Sequence, residues 1–123
     1  MAVICIADDS TTTRASVEFT LTQAGYEVLQ SVDGEDCVTK IKVFTKKIDL
    51  FILDVNMPKM DGITLTGEIR KLEKYKFTPI LILTTESQDD IKMRGKKAGA
   101  SGWLVKPFNP EQLTGIVKRF ASP

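Results

Sequence analysis

Histidine is absent from all 123 residues. With it go imidazole nucleophiles, imidazole general bases and imidazole metal ligands. No apolar run approaches the roughly 20 residues that a membrane-spanning helix needs, so no membrane association is expected. The N-terminus runs straight into a strand-like stretch, with no basic segment or cleavage site ahead of it, and no secretory signal is read. Cysteine is scarce: Cys5 and Cys37 fall on a predicted strand and a predicted helix. With no sign of export, they are expected as free thiols filling core space. Excess charge is missing too. The formal net charge is +1, so no global field draws the chain to nucleic acid or a membrane surface.

What is there fits one soluble globular domain with one core, residues 1–123. The chain is 42% hydrophobic and 27% charged, ordinary proportions for that class. Strand-like runs are Val3 to Ala7, Glu27 to Gln30, Leu50 to Asp54, Ile80 to Thr84 and Gly102 to Val105. Helical patterns lie between them. Val17, Leu21 and Ala24 share a weak stripe that Gly25 ends. Cys37, Val38, Ile41 and Phe44 form a clearer one, and Leu65, Ile69 and Leu72 another. The last helix opens on Asn109 as N-cap, Pro110 in the first turn and Gln112 completing a capping box; its stripe is Leu113, Ile116, Val117 and Phe120. The helix from Asp89 to Ala98 is the least supported, because Gly95 interrupts it at a cost of about 1 kcal/mol relative to Ala. It also carries Lys92, Arg94, Lys96 and Lys97, which reads as a solvated face or a protein-docking face. Five strands alternating with five helices predict an α/β fold with a parallel sheet covered on both sides.

The chemistry sits at strand ends. The apolar run Ile48 to Leu53 stops at Asp54 and then turns through Val55-Asn56-Met57-Pro58-Lys59-Met60-Asp61-Gly62. That pattern reads as a buried strand delivering a carboxylate to a loop. Asp8 and Asp9 follow the first strand in the same way. Two adjacent acids after one strand and a third after another suggest a divalent-metal site, because hard cations such as Mg²⁺ take oxygen ligands.

Asp8-Asp9, Asp54, Thr84 and Lys106-Pro107 stand at the ends of four strands in one order. In this register the chain resembles the receiver domains of two-component response regulators, and specifically the stand-alone chemotaxis regulators of the CheY family. The resemblance covers essentially the whole chain. It implies a doubly wound, flavodoxin-like five-stranded sheet of order 2-1-3-4-5 and a single receiver with no output domain. It implies that Asp54 accepts a phosphoryl group as nucleophile, with Lys106 and Thr84 contacting phosphoryl oxygens. Mg²⁺ would be held by Asp9, Asp54, the Asn56 carbonyl and Asp8 through water. The Lys106-Pro107 peptide would be cis. Asn56 and Glu86 stand where the family tunes the phosphate's lifetime, and Thr85 where it usually prefers a small residue. Trp103 replaces the family's usual Tyr or Phe at the position that turns inward on switching; it is larger and carries an N–H that needs a partner when buried.

The same resemblance implies a CheA-like histidine kinase as phosphodonor and no enzymatic activity beyond the chain's own phosphorylation and dephosphorylation. Output would come from docking through the fourth helix, fifth strand and fifth helix to a partner such as a flagellar motor switch protein or a phosphatase. A monomeric, cytoplasmic protein is expected. Alternatives are a phosphate sink for the kinase and a phosphorylation-independent scaffold. A flavin carrier would use Ser10-Thr11-Thr12-Thr13 as a phosphate loop, but Asp8 and Asp9 would repel that phosphate. An aspartyl-phosphate hydrolase would need an acid where Asn56 stands.

Overall fold

The computed structural model describes residues 1–85 and 89–123. The elements run β1 (Val3–Ala7), α1 (Thr11–Gln23), β2 (Glu27–Ser31), α2 (Gly34–Val43), β3 (Leu50–Asp54), α3 (Gly62–Arg70), β4 (Ile80–Thr84), α4 (Asp89–Ala98), β5 (Gly102–Val105) and α5 (Pro110–Phe120), with a 3₁₀ turn at Glu73–Tyr75. All strand pairs are parallel, in the order β2-β1-β3-β4-β5. β1, β3 and β4 are interior strands, buried at every position. This is why they read as unbroken apolar runs rather than alternating ones.

Successive side chains point to opposite faces of a strand, and the core divides accordingly. Ile4, Ile6, Leu50, Ile52, Leu81 and Leu83 pack with Val17 and Leu21 of α1 and Leu113 and Val117 of α5. On the other face Val3, Cys5, Phe51 and Leu53 pack with Cys37 and Ile41 of α2 and Leu65 and Ile69 of α3. A smaller cluster of Val55, Ile63 and Ile82 receives Ile91 and Ala98 of α4 and Trp103 of β5. Both thiols are reduced and buried, with their sulfurs 3.8 Å apart.

The predicted boundaries hold, with three differences. Phe44, read on the stripe of α2, lies beyond the helix, which ends at Val43; it is extended at φ −71°, ψ 126°. β2 runs one residue further than expected, because Ser31 pairs with Ala7 and its carbonyl accepts from Asp8 N–H. Leu72 is not on α3: the helix ends at Arg70, and Leu72 is extended at φ −84°, ψ 122°. Its side chain still reaches the core cluster beside α3. The α5 capping box is formed as predicted, Asn109 accepting from Gln112 N–H and Gln112 accepting from Asn109 N–H. Gly95 has a packing reason: a Cβ there would stand 3.2 Å from Ile82 Cδ1, so glycine lets α4 lie close on β4.

Arg70 ties the α3–β4 connection to the α4–β5 turn. Its guanidinium donates to Gly99 O from Nε and Nη2, and to Tyr75 O and Thr78 O from Nη1. Among the described residues, no helix is long and apolar enough to cross a membrane.

Candidate functional site

In a sheet ordered this way the chain leaves β1 in one direction towards β2 and returns on its other side as β3. The crevice beyond the carboxyl ends of β1 and β3 lies at that reversal. Asp8 follows β1 and Asp54 ends β3, so the topology sets both acids at its lips. Each is buried, whereas Asp9 is exposed. One carboxylate oxygen from each of Asp8, Asp9 and Asp54 lies within 4.8 Å of the others.

The acids are fixed by their loops. Asp8 Oδ1 accepts from Ser10 N–H at 2.9 Å, and the Asp8 carbonyl accepts from Arg14 Nη1 at 2.7 Å. Ser10 caps α1 by accepting from Thr13 N–H. After Asp54, Val55 N–H continues the sheet bonding to Leu83 O, and the chain turns back so that Gly62 N–H reaches Val55 O. Lys59 takes the left-handed conformation at φ 68° in that turn. A Cβ at Gly62 would lie 2.9 Å from the Asp54 carbonyl carbon, closer still to its oxygen. Only glycine fits between the start of α3 and the strand that carries the acid.

Lys106 enters from the end of β5. Its backbone N–H bonds Thr84 O at 2.7 Å, and the Lys106-Pro107 peptide is cis, as expected. Its Nζ stands 3.1 Å from Asp54 Oδ1 and 3.4 Å from Asp8 Oδ2. Burial raises the Asp54 pKa above the ordinary aspartate value; the bond from Lys106 opposes this, and the Asp8 charge adds to it. A carboxylate held in this way is more basic, and therefore a better nucleophile, than one in water.

Thr84 is buried at the end of β4, beside this group. Asn56 and Thr85 are exposed on the loops that follow β3 and β4. Glu86 lies outside the described residues. Trp103 is half-buried on β5, in register with Ile82. The structure thus brings Asp8, Asp9, Asp54 and Lys106 into one contact group at the carboxyl ends of the strands. Sequence reasoning missed Arg14 and the packing role of Gly62, and it read Lys92 only as part of a solvated or docking face, whereas its Nζ lies 5.3 Å from the Trp103 ring centroid. Gly62 carried a signal, because it follows a capping acid and opens a helix directly after the turn.

The donor set suits a hard cation. Three carboxylate oxygens converge, one from an exposed side chain that leaves a way in; the chain has no imidazole, and among the described residues no cysteine joins the group.

Comparison with known proteins gives one consistent result. The family model described as "Response regulator receiver domain" matches residues 4–118. The crystal structure of the chemotaxis protein CheY4 of Vibrio cholerae superposes with a TM-score of 0.94 at 45% identity, over 98% of this chain and 99% of that one. A chemotaxis protein CheY homolog of Campylobacter jejuni is 35% identical over 114 residues, 89% of this chain and 85% of the relative. The receiver domain of a sensor histidine kinase of Pseudomonas aeruginosa, solved with a magnesium ion coordinated in its active-site cleft, matches with a TM-score of 0.87 at 28% identity over 97% of this chain and 96% of that one. Other relatives are much longer proteins: the chain spans 15% of one and 46% of another.

Proposed function

The chain belongs to the response regulator receiver domain family, and from that premise we propose that it is a phosphorylation-driven switch of a chemotaxis-type two-component pathway, with Asp54 as the phosphoacceptor. One observation carries the reading. The Asp54 carboxylate is buried at the end of β3, within one 4.8 Å group with Asp8 and Asp9, and bonded by Lys106 at 3.1 Å.

An acid in that position needs no general base, because it is the attacking anion itself. Its difficulty is electrostatic: an anion must approach an anionic phosphoryl group. Asp8, Asp9, Asp54 and the Asn56 carbonyl would hold Mg²⁺, which when bound neutralises charge on both partners. Lys106 already reaches Asp54, so its ammonium is positioned to take up a phosphoryl oxygen as charge builds there. Thr84, at the neighbouring strand end, donates its hydroxyl to another. Asn56, Thr85 and Glu86 line the approach for water and set how long the phosphoryl group survives. The new negative charge and acceptor oxygens redistribute these contacts, and Trp103 on β5 reports the change.

The phosphodonor is a histidine kinase of the CheA type. The receiver's signal leaves by docking through α4, β5 and α5, with a motor switch protein or a phosphatase as partner. Cytoplasmic, monomeric operation goes with this reading. Incubation with Mg²⁺ and a small phosphodonor, followed by intact-mass measurement, tests it. The expected result is a gain of one phosphoryl group that chelator prevents and Asp54→Asn abolishes. An unchanged mass in the wild type would refute it.

A further inference from the structure

α4 is lightly held. Its only buried residue is Gly95, and Ile91 and Ala98 make its partly buried contacts with the Val55, Ile63 and Ile82 cluster. Trp103 packs against the same cluster from β5. That platform adjoins the acidic site through the backbone. Val55 directly follows Asp54, Ile82 lies two residues before Thr84, and Trp103 stands three residues before Lys106 on the strand whose end carries it.

Over the indole ring lies Lys92, with Nζ 5.3 Å from the ring centroid. An ammonium is attracted by the negative face of an aromatic ring, and indole is the strongest such acceptor among the side chains. Lys92 forms no ion pair with a carboxylate among the described residues. Asp89 and Asp90, in the first turn of α4, are exposed. The cation is thus directed to the ring, and the contact ties α4 to β5. It coexists with Lys106 bonded to the Asp54 and Asp8 carboxylates.

We infer that Lys92 is a positioning residue for the switch: its ammonium latches the Trp103 indole in the half-buried arrangement and opposes the rearrangement of α4 and β5 that phosphorylation drives. The inference rests on Asp54 being the phosphoacceptor and adds to it a regulator that acts through Trp103. A contact made in only one of two arrangements shifts their equilibrium by its own worth. An exposed cation–π pair is worth about 0.5–1 kcal/mol, a factor of roughly two to five in population. The apparent affinity for a ligand selecting the switched arrangement scales with the fraction already in it. Breaking the latch therefore makes the site easier to load.

The experiment uses Lys92→Met, which keeps the apolar stem and removes the charge, and Lys92→Arg, which keeps the cation. Each is titrated with beryllofluoride in the presence of Mg²⁺ while Trp103 emission is recorded. The chain has one tryptophan, so the signal has one source. In Lys92→Met the resting emission spectrum should change and the half-saturating beryllofluoride concentration fall about two- to five-fold. Lys92→Arg should match the wild type in both. A half-saturation in Lys92→Met that is unchanged or raised overturns the latch, and so does an arginine variant that behaves like the methionine one. Failure of the phosphoacceptor reading looks different: Asp54→Asn would then respond like the wild type, and the regulatory role would fall with it.

Discussion

Replacing Lys106 by methionine tests how the acidic site is kept compatible with the fold. Lys106 Nζ lies 3.1 Å from Asp54 Oδ1 and 3.4 Å from Asp8 Oδ2, and both acids are buried. At an effective dielectric of about 20, each contact carries about 5 kcal/mol of bare Coulomb attraction. Most of that repays the desolvation of the charges, and charge-assisted hydrogen bonds retain about 1.5–3 kcal/mol each. The lysine side chain keeps 20% of its surface in water, which weakens both contacts further. A net loss of about 2–4 kcal/mol is expected for Lys106→Met at neutral pH with chelator present, out of the roughly 5–15 kcal/mol that holds a domain together. Its midpoint should fall by about 10 °C.

The loss has a definite pH dependence. Burial already makes the folded chain hold the Asp54 proton more tightly than the unfolded chain does, and the Lys106 bond opposes that. Without the lysine the folded-state pKa rises further. A raised carboxyl pKa costs stability above the unfolded value, and the cost disappears as acid protonates the group in both states. The variant's deficit should therefore be full at neutral pH and close below about pH 3.5. Mg²⁺ held at the proposed site would compete with the ammonium for the same oxygens, so the metal should raise the midpoint of Lys106→Met more than that of the wild type. Urea melts across this pH range, with and without Mg²⁺, measure all three effects. A variant within about 0.5 kcal/mol of the wild type at neutral pH, inside the range of a neutral surface substitution, would refute the reasoning; a deficit that persists in acid would do the same.

Three further outcomes are expected. Asp54→Asn should be more stable than the wild type at neutral pH, because it removes a charge whose burial is unfavourable; the gain should vanish in acid, as paired urea melts would show. Gly62→Ala should cost about 2 kcal/mol or more, since its Cβ would collide with the Asp54 backbone, and it should weaken the beryllofluoride response by displacing the acid. Arg70→Met removes the donors to Tyr75 O, Thr78 O and Gly99 O and should cost about 2–4 kcal/mol. Arg70→Lys should recover less than half of that, because a point charge cannot span three carbonyls; thermal melts of the pair decide.

The difference between what was legible in the sequence and what was not follows range. The three interior strands were legible because interior parallel strands must be apolar on both faces, so β1, β3 and β4 show as short runs whose ends are marked by the first polar residue. That same rule exposes the site, since the first polar residues are Asp8, Asp54 and, at the end of β4, Thr84. α5 was legible because its capping box spans only Asn109 to Gln112. Leu72 was misassigned because its spacing from Ile69 satisfies a helical period, while the helix has already ended at Arg70 and Leu72 is the extended residue that leads into the 3₁₀ turn at Glu73–Tyr75.

Arg70, Arg14, Lys92 and the Cys5–Cys37 contact were not legible because each is a side-chain partnership without a period. Arg70 reaches Gly99 across 29 residues, and the thiols meet across 32. A lysine on an exposed basic helix has the same sequence appearance whether it faces solvent or lies over an indole, and only the packing of α4 against β5 separates the two. The strand ends fix which groups can react. On the latch inferred above, partners without a sequence signature, such as Lys92 on Trp103, set how readily the surrounding helices rearrange. Receivers that share every acid of the site can therefore differ in switching through residues that no motif contains.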